Sequence, residues 1–428
     1  MTATVIVIFM FSLLAMGAPI GFALIIAGST GVYWIGGWSA VTGILSSMPK
    51  TSASTYEFLT IPMFLLMAEF VLRSGIADDL FRAAAAWFGR VRGGLGIATS
   101  LAGAGFGAIC GSSTAAAATL SATSLPAMLR YGYEKKMASG VVAISGTLSM
   151  LIPPSIAMVI YAMLADVSIG RMLIAGVIPG ILVTFTIAAT VYVLAWWRPD
   201  DAPLTEKVSL GDKFYLLRLI GPMLVLMASV TGVIYTGIAT PTEASALGAL
   251  VAGILYVSRV KPQLSDIVTV VVRSTKISCM LGIIILGAHI FTAFFALTQT
   301  TQTIIAWVGS INVESWVVVA AIIIVVLVMG FFMDQTAILV LTVPIVAPLL
   351  SSLGYDLIWF GVIKIVTAEI GLVTPPFGLN CFVVARYSNM KASDVFWGVL
   401  PHVISHMIAV SLLLLVPAIS LWLPNHMQ

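Results

Sequence analysis

The sequence predicts an all-α polytopic membrane protein built as an inverted repeat, with two re-entrant helical hairpins and two broken helices. Three observations predict it. Apolar residues make up 60% of the 428 and charged residues only 9%, and the mean hydropathy is +1.11; a soluble domain carries about 25% charge. Prolines recur at one offset: Pro19 and Pro241, Pro126 and Pro348, Pro153-Pro154 and Pro375-Pro376, and Pro179 and Pro401 all stand 222 positions apart. Gly132-Tyr133 and Gly176-Val177 return at the same offset as Gly354-Tyr355 and Gly398-Val399. Chance would align roughly 0.4 of a proline pair at any one offset, so five pairs mark a duplicated unit. The third observation is a polar break at the centre of two long apolar stretches, at matching repeat positions.

The elements follow in chain order. The first apolar segment lacks a basic n-region and an A-x-A site, so a retained helix is expected rather than a signal peptide. The first repeat covers 1–197 and contains scaffold helices, a hairpin over 93–130 and a broken helix over 134–165. Residues 77–92 mix charges with Leu80, Phe81, Trp87 and Phe88, which suits an amphipathic helix along the membrane surface. Residues 198–213, with Pro199, Asp200, Asp201 and Pro203, read as a cytoplasmic linker. The second repeat covers 214–428, with scaffold helices, a hairpin over 315–350 and a broken helix over 357–388. Runs at 174–197, 216–235, 277–297, 316–333 and 402–423 approach the roughly 20 apolar residues a span requires. About ten spans are expected beside the two hairpins.

The hairpins are read from their breaks. The first apolar stretch is interrupted by Gly111-Ser112-Ser113-Thr114 and the second by Met333-Asp334-Gln335-Thr336, with Ser112 and Asp334 at equivalent positions. Non-helical backbone cannot face lipid, so such tips belong against protein or a wet cavity. Charge then sets orientation. Arg90, Arg92, Arg130, Lys135 and Lys136 flank the first hairpin, whereas Glu314 and Asp356 flank the second. The positive-inside rule brings the first in from the cytoplasm and the second from the opposite side, which makes the repeat inverted. The basic segments 73–92, 198–218, 259–276 and 386–391 agree, and both termini are expected in the periplasm.

A broken helix follows each hairpin at the same interval: GTLSMLIPPS from Gly146 and GLVTPPFGLN from Gly371. Paired prolines remove two donors and leave carbonyls unpaired at membrane depth. Freed carbonyls and nearby hydroxyls suit a partly dehydrated Na⁺, and the N-terminal end of the following half-helix suits an anion. A plain proline kink is the competing reading for one such motif; two in register, each below a polar tip, argue for a site. Asp334 is the most telling charge, as an ion ligand or as the cap of a helix starting at Gln335. Lys364 and Glu369, five apart, are poorly spaced for an i,i+4 bridge and have no assigned role. Glu57, Glu69, Glu243 and His289 read as interhelical structural partners rather than proton relays. Gly103, Gly107 and Gly111 form a GxxxGxxxG face for close helix packing.

Several classes are excluded. No GxSxG, P-loop lysine or HExxH occurs, so neither an enzyme nor direct ATP use is indicated. A net charge of +3, dispersed along the chain, gives no nucleic-acid partner. Cys110, Cys279 and Cys381 are widely spaced, without CxxC, and read as core thiols.

At the level of motifs the chain resembles the large (M, DctM-like) membrane subunit of the TRAP (tripartite ATP-independent periplasmic) transporters. The matching stretches are GAGFGAICGSSTAAAATL, SGTLSMLIPPSIAMVIY, SIGRMLIAGVIPG, GIATPTEASALGAL, FMDQTAILVLTVPIVAP and GLVTPPFGLNCFVV, between Gly103 and Val384. Asp166 stands where Glu is expected. The resemblance implies a sodium-driven importer of an organic acid, such as a C4-dicarboxylate or sialic acid, in the bacterial inner membrane. It also implies a periplasmic substrate-binding protein and a small four-helix membrane subunit as partners, Na⁺ as coupling ion with no other cofactor, and an elevator-type fold related to the sodium/dicarboxylate symporters. Motifs and resemblance together place one Na⁺ among Gly111, Ser112, Ser113, Gly146, Thr147 and Pro153. A second falls among Asp334, Gln335, Thr336, Gly371, Thr374 and Pro375. Substrate is expected near Ser112, Ser155, Thr374 and Asn380. A stand-alone sodium/dicarboxylate symporter is the alternative, followed by a membrane channel.

Overall fold

The computed structural model describes residues 2–311 and 313–427, and every regular element among them is helical. In chain order these are α1 (Thr2–Ala15), α2 (Ile20–Ser54), α3 (Thr60–Arg73), α4 (Ile76–Phe88), α5 (Gly94–Cys110), α6 (Ser113–Arg130) and α7 (Lys135–Thr147). Then come α8 (Ile156–Ala165), α9 (Ile169–Ala175), α10 (Val177–Trp197), α11 (Leu210–Met227), α12 (Val233–Tyr235), α13 (Pro241–Val260) and α14 (Leu264–Leu297). The last are α15 (Thr300–Ser310), α16 (Ser315–Gly330), α17 (Gln335–Ser352), α18 (Leu357–Gly371), α19 (Leu379–Ser388), α20 (Ala392–Leu415) and α21 (Ala418–Asn425).

Seven helical segments among the described residues are long and apolar enough to cross a membrane, or eight if α3 and α4, bent by 63°, are counted as one span. That is fewer than the ten or so expected. The difference lies in short helices: α1 has 14 residues, and the halves of the two broken helices, α7, α8, α18 and α19, have 13, 10, 15 and 10, below the roughly 20 that span a bilayer. Exposed Trp34, Trp38, Trp196, Trp197, Leu250, Ile254, Met280, Ile324 and Ile404 form the apolar exterior that a bilayer would cover.

Two boundaries differ from the sequence reading. α14 starts at Leu264, so the basic segment up to Lys276 is helix rather than loop. Its start is fixed locally, because the Gln263 N–H donates to the Asp266 carboxylate at 3.0 Å. Similarly, Ser209 accepts from the Asp212 N–H at 3.1 Å and starts α11 at Leu210, taking the last four residues of the expected linker. The rest of that linker is pinned to its surroundings. The Glu134 N–H donates to the Asp201 carbonyl (2.9 Å), and the Thr205 N–H donates to the Gly89 carbonyl (3.1 Å).

The two halves place their elements alike. α6 and α17 both have 18 residues and start at Ser113 and Gln335, 222 positions apart. α7 and α18 start at Lys135 and Leu357, at the same offset. The turns between them use Gly132 and Gly354, with φ of 85° and 80°, a region that L side chains avoid. Both Pro-Pro bonds, at Pro153-Pro154 and Pro375-Pro376, are cis.

Packing sorts the helices into two groups. α2 runs along α14, and α3 lies against both α13 and α14. The other group holds the hairpins and broken helices: α5 and α6 pack on α7, α16 on α18, and α20 on α7, α10, α18 and α19. α4 packs on α5 and α11, and its Asp79 pairs with Arg259 at the end of α13. The amphipathic segment is thus a helix tied to both groups.

Candidate functional site

The first tip is built by two backbone devices. Gly111 ends α5 with φ 60°, and Ser112 starts α6 by accepting from the Ala115 N–H at 3.4 Å. α5 then packs closely, through its glycines, on α7 and on the turn that follows it. A Cβ on Gly103 would sit 2.8 Å from the Ser145 carbonyl oxygen, and one on Gly107 would sit 2.7 Å from Ser149 Cα. The GxxxGxxxG face is therefore a packing seam. α6 approaches α7 as closely, since a Cβ on Gly146 would lie 3.0 Å from the Ser113 carbonyl oxygen.

α7 stops at Thr147, whose hydroxyl donates to the Ile144 carbonyl at 2.6 Å. The chain then turns through buried Pro153 to α8. Ser155 bridges the break: it donates to the Met150 carbonyl and accepts from the Met158 N–H. Its hydroxyl is therefore committed to the backbone and fully buried, although the sequence reading assigned it to substrate. The structure makes it a staple of the break.

The second unit repeats this plan with a different surface. Asp334 caps α17, accepting from the Thr336 N–H at 3.1 Å, and its side chain is exposed. Next to it Gln335 is 1% exposed, and neither its amide oxygen nor its nitrogen has a partner. α16 crosses α18 at glycine, where a Cβ on Gly371 would lie 2.4 Å from Gly330 Cα. In the second break the Thr374 hydroxyl donates to the Ile370 carbonyl at 2.6 Å. Pro375, Pro376 and Phe377 are exposed, whereas the first break is mostly buried. The Phe332 and Phe377 rings, with centroids 5.9 Å apart, join this break to its tip. Asn380, fully buried at the start of α19, leaves both side-chain polar atoms unpartnered.

The repeats are also interlocked. α17 packs on α8 and α19 packs on α6, so the outgoing arm of each hairpin rests on the broken helix of the other repeat. The sequence pairing of each tip with its own break captures only half of this arrangement. Two further residues come from α18, where sequence reasoning assigned no role. Lys364, fully buried, donates to the Thr342 hydroxyl on α17. Glu369, 2% exposed, faces Ser113 across the repeat boundary, with no hydrogen bond to either carboxylate oxygen. The available signal was an ionisable pair in an otherwise apolar helix ending at a break.

The remaining sequence candidates fall elsewhere. Glu69 lies 3.9 Å from Arg73 in the same helix, and Glu243 closes a capping box with Thr240. Neither is the interhelical partner expected. His289 is one, bonded to Ser52 at 2.7 Å. Glu57 lines a cavity of about 430 Å³ together with Asp166, Thr240 and His289. Cys110 and Cys381 are buried core thiols, but Cys279 is exposed on α14. A second cavity, of about 750 Å³, lies between α6 and α19, lined by Thr114, Ala115, Ala118, Val383, Arg386 and Tyr387. It sits beside the first tip.

Chemically, the two units gather uncharged oxygens, two carboxylates and the N-terminal ends of four helices. Such a set can hold small hard cations on oxygens and an anion at the helix ends. The chain matches, over residues 7–419, the family described as tripartite ATP-independent periplasmic transporter, DctM component. It is 37% identical over 372 residues to the C4-dicarboxylate TRAP transporter large permease protein DctM of Pseudomonas aeruginosa, covering 86% of each chain. The same-named protein of Rhodobacter capsulatus is 34% identical over 390 residues, 88% of each. The sialic acid TRAP transporter permease protein SiaT of Haemophilus influenzae is 30% identical over 416 residues, which is 96% of this chain and 66% of that one. Among solved structures, the YdaH transporter of Alcanivorax borkumensis superposes with a TM-score of 0.64 at 14% identity, covering 89% of this chain and 87% of that one. At that identity the likeness is one of fold.

Proposed function

The chain belongs to the DctM component family of tripartite ATP-independent periplasmic transporters, and from that premise we propose that it carries an organic acid inward on a sodium gradient by an elevator mechanism. It is a large permease subunit with seven or more apolar helices. Its substrate is a carboxylate of the class that relatives are named for, a C4-dicarboxylate or sialic acid. A periplasmic binding protein delivers it, and a small four-helix membrane subunit completes the permease in the inner membrane. The two repeats, 1–197 and 214–428, have opposite orientation, with both termini in the periplasm.

One observation carries the sodium reading. Both hairpin tips cross a broken helix at matched positions, and buried polar groups there are left without partners: Gln335, Asn380 and Glu369. Buried polar groups are normally hydrogen-bonded, so orphans gathered at such crossings call for a ligand. Their oxygens, with the Gly146 and Gly371 backbone segments, fit a small hard cation. Gly111, Ser112, Ser113, Gly146, Thr147 and Pro153 surround one Na⁺, and Asp334, Gln335, Thr336, Gly371, Thr374 and Pro375 the other. Ser112, Thr374 and Asn380 face the substrate carboxylate between them. The cations offset its charge and hold the tips closed, so that the loaded or fully empty body crosses. Reconstituted with its partners, the protein accumulates substrate in Na⁺ and not in choline. Full accumulation on a proton gradient alone overturns the reading. Saturable uptake distinguishes it from a channel, and uptake without the binding protein would favour the stand-alone symporter.

A further inference from the structure

Glu369 is the only acidic residue inside the four half-helices α7, α8, α18 and α19. Its carboxylate is buried, unpartnered on both oxygens and turned toward Ser113 in the first turn of α6. No side-chain cation answers it among the described residues. Lys364 on the same helix is turned to Thr342 of α17, and the ion pairs present are Arg73–Glu69, Lys136–Asp394 and Arg259–Asp79. A carboxylate removed from water is strongly disfavoured unless a countercharge accompanies it. The start of α6 contributes only the partial positive charge of a helix terminus.

Repeat symmetry sharpens the point. The position equivalent to Glu369 in the first repeat is Thr147, whose hydroxyl is occupied by the Ile144 carbonyl. The charge is thus present in one repeat and points at the tip of the other, where Ser113 and Gly146 meet backbone to backbone.

We propose that Glu369 supplies the anionic ligand of the cation site at the first hairpin tip, completing a first-repeat site from the second repeat. Each tip then has one carboxylate: Asp334 at the second, from its own chain segment, and Glu369 at the first, from across the boundary. The ion is a small alkali cation, Na⁺ or Li⁺. Its binding joins α6 to α18, so that occupancy makes the two repeats move as one body. The proposal rests on the sodium-coupled reading above and assigns Glu369, one of the orphaned groups behind that reading, to the tip of the opposite repeat.

The test uses the complete transporter and follows melting temperature against Na⁺, with choline holding ionic strength constant. Glu369→Gln keeps the side chain's shape and deletes the charge. Its melting temperature in choline should equal or exceed that of the wild type, because a buried uncompensated charge is gone. The Na⁺ concentration giving half of the thermal shift should rise about tenfold or more, as expected for loss of a charge-assisted contact. Ser113→Ala, which retains the carboxylate, should raise the same midpoint to a lesser extent and carries the test if Glu369→Gln aggregates. A wild type that ignores Na⁺ sinks the sodium reading itself. A wild type that responds, beside a Glu369→Gln with an unchanged midpoint and a lowered melting temperature in choline, makes Glu369 a structural residue and overturns the proposal alone.

Discussion

Replacing Asp334 by Asn separates its two roles. As a cap, its carboxylate accepts one hydrogen bond, from the Thr336 N–H at 3.1 Å. Losing such a cap altogether costs about 1 kcal/mol, and Asn caps as well as Asp. The substitution therefore leaves the start of α17 intact and changes the melting temperature little. As an ion ligand, Asp334 supplies a formal charge that Asn lacks. A hydrogen bond or contact to a charged group contributes about 1.5–3 kcal/mol, and each 1.4 kcal/mol is a tenfold change in affinity. The side chain is exposed, so solvent screening places the effect at the lower end. Half-maximal uptake should then require roughly tenfold more Na⁺. The assay is initial uptake into proteoliposomes containing the full transporter, across a Na⁺ series at constant ionic strength, beside a melting curve in detergent. Unchanged Na⁺ dependence together with a lowered melting temperature would leave Asp334 as a cap and nothing more.

Three other outcomes follow from the same geometry. Gly371→Ala places a methyl 2.4 Å from Gly330 Cα and should destabilise by about 1–3 kcal/mol, the usual range for overpacking; a melting temperature equal to wild type would contradict the backbone-to-backbone crossing. Ser155→Ala removes the staple across the first break and the cap of α8, costing about 1 kcal/mol, and should leave the apparent substrate affinity within twofold, roughly, because the hydroxyl is committed to backbone; a large loss of affinity at unchanged stability would return Ser155 to the substrate site. In a background without native cysteines, a single cysteine at Lys135 should resist impermeant thiol reagents in whole cells and one at Asp356 should label, and the reverse pattern would refute the opposed hairpins.

The sequence alone determined the class and the plan of this protein. An apolar chain with matched prolines leaves few ways to bury its backbone, because unpaired peptide groups cannot face lipid. The tips at Ser112 and Asp334, the capping role of Asp334 and the glycine seam were legible because capping and close packing depend on residues a few positions apart. Helix lengths were less legible: α16 stops at Gly330, where it meets Gly371, although apolar residues continue to Met333. The capping pair at Gln263 and Asp266 also outweighed the basic character that suggested a loop. What only the tertiary structure decided is which orphaned groups meet. Ser155 was assigned to substrate by its place after Pro153-Pro154, yet its hydroxyl turns back to Met150. Glu369 had no local partner at helical spacing, because the group it faces, Ser113, is 256 positions away in the chain. Helix capping is written into neighbouring residues; a buried charge acquires its meaning from whatever the fold brings against it.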